Sequence, residues 1–118
     1  MKDEKLVNIV EEQLGYTLFK DDADPTEIEG KNKYCVYYDH SLRKGDQTFF
    51  NKVIEFVFVN EDPNATFDEE NIIPMLESTG LTFDDGDYGR LKKVVGGDVV
   101  NSLTLRFVRP RKKKVCNY

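Results

Sequence analysis

The stretch from 81 to 108 constrains the fold most, because it reads as two strands reversed on a glycine turn. Tyr88, Gly89, Arg90, Leu91, Lys92, Lys93, Val94 and Val95 form the first strand and residues 99–108 the second, with Gly96, Gly97 and Asp98 between them. Glycine reaches positive φ without a Cβ penalty, so this connection reverses the chain and leaves the strands in register. In the second strand Leu103, Leu105 and Phe107 alternate with Ser102, Thr104 and Arg106, the period of a sheet buried on one face and wetted on the other. A lone hairpin is marginal in water, so the rest of the chain must cover it.

Leu6, Val7, Ile9, Val10 and Leu14 recur at helical spacing and predict an amphipathic helix over residues 3–14, with Gly15 as its C-cap. Residues 16–33 begin with a short apolar piece, Tyr16, Thr17, Leu18 and Phe19, and are otherwise expected to be a polar loop. Two β-prone runs, residues 34–38 and 49–59, are expected to pair as an antiparallel hairpin across 39–48. The longer run is apolar at Ile54, Phe56 and Phe58 and also at Val53, Val57 and Val59, with Glu55 the exception. Such a strand is either central or covered by another subunit. Thr66 and Glu69 form a capping-box pattern before Ile72, Ile73, Met75 and Leu76, predicting a second helix that stops near Gly80 and is kinked or restarted at Pro74. Leu81, Thr82 and Phe83 add an extended piece, and Asp84, Asp85, Gly86 and Asp87 read as an acidic turn. The expected fold is α+β: a single domain over residues 1–118 in αββαββ order, its antiparallel or mixed sheet packed by two helices, with a basic C-terminal tail over residues 109–118.

With 39% hydrophobic and 33% charged side chains in 118 residues, the chain has the make-up of one globular domain. No apolar run reaches the ~20 residues that span a bilayer. The charged start Lys2, Asp3, Glu4, Lys5 lacks a signal-peptide pattern, so a cytoplasmic location is expected. Charge is segregated: six of the 17 basic residues fall between Arg106 and Lys114, where there is no acid, so all 22 acidic residues belong to the rest. An acidic body repels nucleic acid, whereas a basic tail suits phosphates, an acidic surface on a neighbouring copy, or plain solvent.

No cofactor or metal set is legible. His40 is the single histidine, and its neighbours Asp39 and Ser41 lack the glycine pattern of a nucleophile elbow, so a solvated loop residue is expected. The clusters Asp21, Asp22, Asp24 and Asp84, Asp85, Asp87 lack the later glycine and terminal glutamate of a calcium loop and read as turns. Gly96-Gly97 precedes a strand rather than a helix, so it is no phosphate cradle. Cys35 and Cys116 have no ligand spacing and are expected as thiols. Tyr88, Arg90, Lys92 and Lys93 interleave aromatic and basic groups, but the aspartates before them favour a wet sheet face or a subunit contact over a nucleic-acid platform.

This order of elements resembles the tail-terminator (tail-completion, head–tail joining) proteins of long-tailed bacteriophages, small α+β subunits that assemble into a hexameric ring. The resemblance covers most of the chain. It rests on Ile72-Ile73-Pro74-Met75-Leu76, Gly80-Leu81-Thr82-Phe83, Asp87-Tyr88 and the closing strand Val100-Asn101-Ser102-Leu103-Thr104-Leu105-Arg106-Phe107. The first helix, the strand pair carrying Cys35-Val36-Tyr37-Tyr38, the second helix and the last hairpin follow the family's layout, while residues 20–33 have no counterpart in it. The resemblance implies a non-enzymatic structural protein without cofactors, found in the virion and in the host cytoplasm during assembly. Its implied partners are copies of itself in a ring, the tail tube and head–connector proteins, with DNA passing through the channel without specific binding. Tyr37, Ile54, Phe56, Phe58, Tyr88 and Arg90 are then expected at sheet-to-sheet contacts between subunits, with burial in the core the competing reading for at least half of them. Arg106, Arg109 and Arg111 are expected to dock on an adjacent subunit's carboxylates. The alternative class is a small acidic interaction or inhibitor module, of immunity or anti-restriction type, that binds a basic partner.

Overall fold

A strand apolar on both faces needs cover on both, and Phe49–Asn60 finds it in the middle of a five-stranded sheet. The structure, a computed structural model, describes residues 4–21, 32–44, 49–61, 66–92 and 99–112, with 40–44, 49–51, 91–92 and 110–112 described by backbone alone. Strands β1 (Thr17–Lys20), β2 (Lys33–Lys44), β3 (Phe49–Asn60), β4 (Thr82–Lys92) and β5 (Val99–Lys112) stand in the order β1-β2-β3-β5-β4. β1 runs parallel to β2 and the other pairings are antiparallel, so the sheet is mixed. Helix α1 begins as an α-helix at Glu4–Val7 and widens into a π-helical turn at Asn8–Gln13, and helix α2 spans Glu69–Glu77 between β3 and β4. The fold is α+β, as expected.

Its order is αβββαββ rather than αββαββ. The additional strand is β1, formed by the short apolar piece that was expected to open a loop. Four residues carry little strand signal alone; the ladder from Thr17 opposite Tyr34 to Lys20 opposite Tyr37 supplies the order. Glu11 of α1 helps to place it, accepting the Leu18 N–H at 2.8 Å. β2 continues past a bulge between Tyr38 and Ser41, so Asp39 and His40 lie in strand backbone rather than a loop. β4 absorbs both the extended piece and the acidic stretch expected to turn, with a second bulge between Phe83 and Asp85. Gly86 is required there for space: a Cβ would meet the Thr104 carbonyl oxygen at 2.7 Å. The glycine that signals a turn thus serves close strand approach instead. β5 runs to Lys112, so the first four residues of the expected tail are strand.

The helix ends follow the glycines, with φ at +82° for Gly15 and +98° for Gly80. The capping box does not form; Asp68 is the N-cap, without a side-chain cap, and α2 passes Pro74 in one span. The Gly96-Gly97-Asp98 turn, Asp22, Asp24, Cys116 and residues 113–118 lie outside the described residues.

Both helices cover one face. Leu6, Ile9 and Val10 from α1 and Ile72 and Leu76 from α2 close over the inner side chains of β2, β3 and β5. Phe56 is the hub, its ring centroid 5.9 Å from Tyr37, 6.3 Å from Phe58 and 5.5 Å from Phe107. On the opposite face Tyr34, Val36, Val59 and Val100 form a smaller cluster with Phe19, Tyr38 and Val57 against it. The two apolar faces of β3 therefore serve two clusters of the same chain. Tyr37, Ile54, Phe56 and Phe58 are 2, 3, 0 and 0% exposed and belong to the core, the competing reading given for at least half of the residues expected at sheet-to-sheet contacts. Phe56→Ala is expected to cost about 3–5 kcal/mol. Since a domain commonly has only about 5–15 kcal/mol, urea unfolding of the isolated chain should show a clearly lower midpoint.

Candidate interaction surface

On the sheet face away from the helices, the register sets Glu55 opposite Arg106, Arg106 opposite Asp85, and Thr104 opposite Asp87. Arg106 Nε donates to Glu55 Oε2 at 3.1 Å, Nη1 to Asp85 Oδ1 at 3.0 Å and Nη2 to Asp87 Oδ2 at 3.1 Å. The Asp85 and Asp87 hydrogen bonds hold the guanidinium's pKa above its ordinary value. One cation ties three strands together, and three carboxylates to one guanidinium leave an excess of negative charge. Arg106, expected to dock on an adjacent subunit, has three carboxylate partners within its own chain. Glu55, Asp85 and Asp87 were not among the expected site residues. The signal for the two aspartates was their two-residue spacing, which suits one face of a strand.

At the other face of β4, the Tyr88 hydroxyl donates to Glu69 Oε1 at 2.5 Å, and the Phe83 N–H donates to Glu77 Oε2 at 3.2 Å. These bonds fasten α2 along β4. The first holds the Glu69 carboxyl below the usual carboxylate range and the Tyr88 phenol above its ordinary value. Tyr88 remains 67% exposed and borders a cleft of about 360 Å³ with Thr66, Phe67, Glu69, Gly89, Asn101 and Ser102. Such a lining can hydrogen-bond a polar group. Arg90 is exposed farther along β4, beside a second hollow shared with Glu61, Val99, Val100 and Asn101. Cys35 is buried, which pushes its thiol well above the ordinary range.

The third feature is set by the backbone. β1 stops opposite Tyr37 and β4 starts opposite Val108, whereas β2, β3 and β5 continue to Lys44, Phe49 and Lys112. A three-stranded extension thus outruns both edge strands of an elongated chain, 55 × 26 × 25 Å in extent. Residues 41–44, 49–52 and 109–112 contribute six basic residues to it and no acid. Half-buried Arg109 stands there opposite Lys52, and Arg111, described by backbone, is opposite Phe50. The nine expected contact residues therefore do not converge: four are core, Arg106 is tied to its own chain, Tyr88 and Arg90 line β4, and Arg109 and Arg111 belong to the extension.

Among the described residues no three of His, Cys, Asp and Glu are grouped to hold a metal ion, and no helix is long and apolar enough to cross a membrane. No protein-family model matches the chain, and no curated protein matches it in sequence.

Arg106→Gln is expected to destabilise the chain by about 1 kcal/mol, the upper range for an exposed ion pair. Added salt should recover part of it by screening the remaining carboxylates, which urea titrations at two ionic strengths would read. Tyr88→Phe should return the Glu69 carboxyl upward toward its ordinary value, followed by NMR titration. A lowered folded pKa contributes stability above the ordinary carboxylate range and loses it as pH falls through the folded value. The variant's deficit should therefore be present at neutral pH and vanish in acid.

Proposed function

We propose that the protein is a structural, non-enzymatic subunit of a long-tailed bacteriophage, a tail terminator whose copies join in a hexameric ring capping the tail tube. The observation that carries this reading is the extension of β2, β3 and β5 beyond β1 and β4. Strands that outrun their neighbours present flanks that a further chain can cover, and contacts between two different patches of identical copies close into rings when the rotation allows. Apart from the additional strand β1, the sequence of a helix, a long strand pair, a second helix and a final strand pair is the layout on which the resemblance was drawn. The acidic body supports a channel wall along which DNA slides without adhering. Under this reading the tail tube and head–connector proteins are the neighbours along the axis, and the protein resides in the virion.

A second reading, a small acidic module that binds a basic protein, is favoured by the exposed acids of α2 and β4. Native mass spectrometry at micromolar concentration separates the two, with hexamers expected and rings visible by electron microscopy. Phage particles lacking the protein should carry tails of uncontrolled length. A chain that stays monomeric both alone and with tail tubes, yet forms a tight complex with a basic protein, would replace the first reading by the second.

A further inference from the structure

We infer that the basic extension of one copy docks on the acidic flank that α2 and β4 form on the next copy, a contact that rests on the ring reading and names its two surfaces. The extension is one-sided. Leu42, Lys52 and Arg109 share one cross-strand row and Lys44, Phe50 and Arg111 another, and both rows fall on the sheet face of Ile54 and Phe56, the face that the helices cover elsewhere. By backbone register, four basic positions, 44, 52, 109 and 111, thus share one face of the extension with the two apolar positions 42 and 50. Lys52 is partly engaged already, its Nζ lying 3.4 Å from Asp39 Oδ2.

The complementary surface lies to the side. Asp68, Glu70 and Glu77 on or beside α2, and Asp84 on β4, are exposed. The Glu69 and Glu77 hydrogen bonds to Tyr88 and Phe83 hold these two elements side by side. Behind them the Arg106 cluster contributes its unbalanced carboxylates. The dimensions agree: four strand residues span roughly 13 Å, and the nine residues of α2 span roughly the same. Pro110, in the middle of the β5 flank, has no N–H to offer a ladder, so side-chain charge rather than strand addition makes the contact. A second copy is favoured over nucleic acid as the occupant because the chain carries a net charge of −5 and brings the acidic surface with it. The two patches differ, so the contact is head-to-tail.

The test is a charge exchange in the full chain. Arg109→Glu with Arg111→Glu, and separately Asp68→Lys with Glu70→Lys, should each raise the concentration needed for assembly about tenfold or more. All four substitutions in one chain should restore it. Lys52 is left alone because of Asp39, and Arg109→Gln with Arg111→Gln, expected to give an intermediate loss, guards against a misfolded reversal. Wild-type assembly should weaken as salt is raised to about 0.5 M. Assembly unaffected by either reversed pair overturns the contact while leaving the ring reading in place. Charge-dependent association that ends in open chains retains the contact and removes the ring. Loss of retention on duplex DNA in the Arg109→Glu, Arg111→Glu variant, with assembly unchanged, overturns the contact in favour of nucleic-acid phosphates.

Discussion

Everything in this fold depends on β3 being paired along both sides. It holds β2 on one side and β5 on the other, and each of those carries an edge strand. Neither helix is long enough to persist in water by itself, since isolated helices shorter than ~12–15 residues are marginal. They owe their order to the apolar surface that β3 and its two neighbours present. The partners are also distant in sequence, Phe56 facing Tyr37 across one ladder and Leu105 across the other. Chain-entropy loss therefore precedes most of the hydrophobic gain, and slow folding is the natural accompaniment.

What the residues disclosed in advance was the part of the fold in which side-chain period and cover agree. The alternation of Leu103, Leu105 and Phe107 against Ser102, Thr104 and Arg106, the need of β3 for cover on both faces and the helix stops at Gly15 and Gly80 were all legible. β1 was not, because its four residues precede a polar run and its partner strand is remote and parallel. The acidic strand was missed for another reason. Aspartate and glycine favour turns locally, whereas the long-range ladder to β5, together with the cross-strand guanidinium of Arg106, holds Asp85 and Asp87 in extended backbone. As for the candidate surface, apolarity marked Phe56 and Phe58 as needing cover but carried no information about which atoms provide it. Arg109 and Arg111 were visible as basic residues, whereas their alignment with Lys52 and Lys44 through two ladders exists only after folding.

Charge is sorted by the same topology. The acids of α2 and β4 collect at one side of the sheet, and the cations of three separate sequence segments meet where β2, β3 and β5 outrun it. The sheet order sets the basic end of β5 beside the basic positions of β2 and β3 and leaves the acids of α2 and β4 in a separate patch.

The two bulges have a consequence beyond local kinking. Alternation along β4 without the bulge after Phe83 would put Asp85 and Asp87 on the Phe83 side, beneath α2 and against Phe107. The inserted residue, Asp84, inverts odd and even, so that Phe83 remains in the aromatic cluster while the two aspartates emerge beside Arg106. The bulge in β2 does the same for the strand that follows Tyr38, moving Leu42 and Lys44 to the side that Cys35 and Tyr37 occupy before it. Each bulge works as a parity element: deleting one residue would exchange the inner and outer faces of everything downstream in that strand while leaving composition almost untouched. The segregation of charge is thus written in the count of residues between bulges as much as in their chemistry.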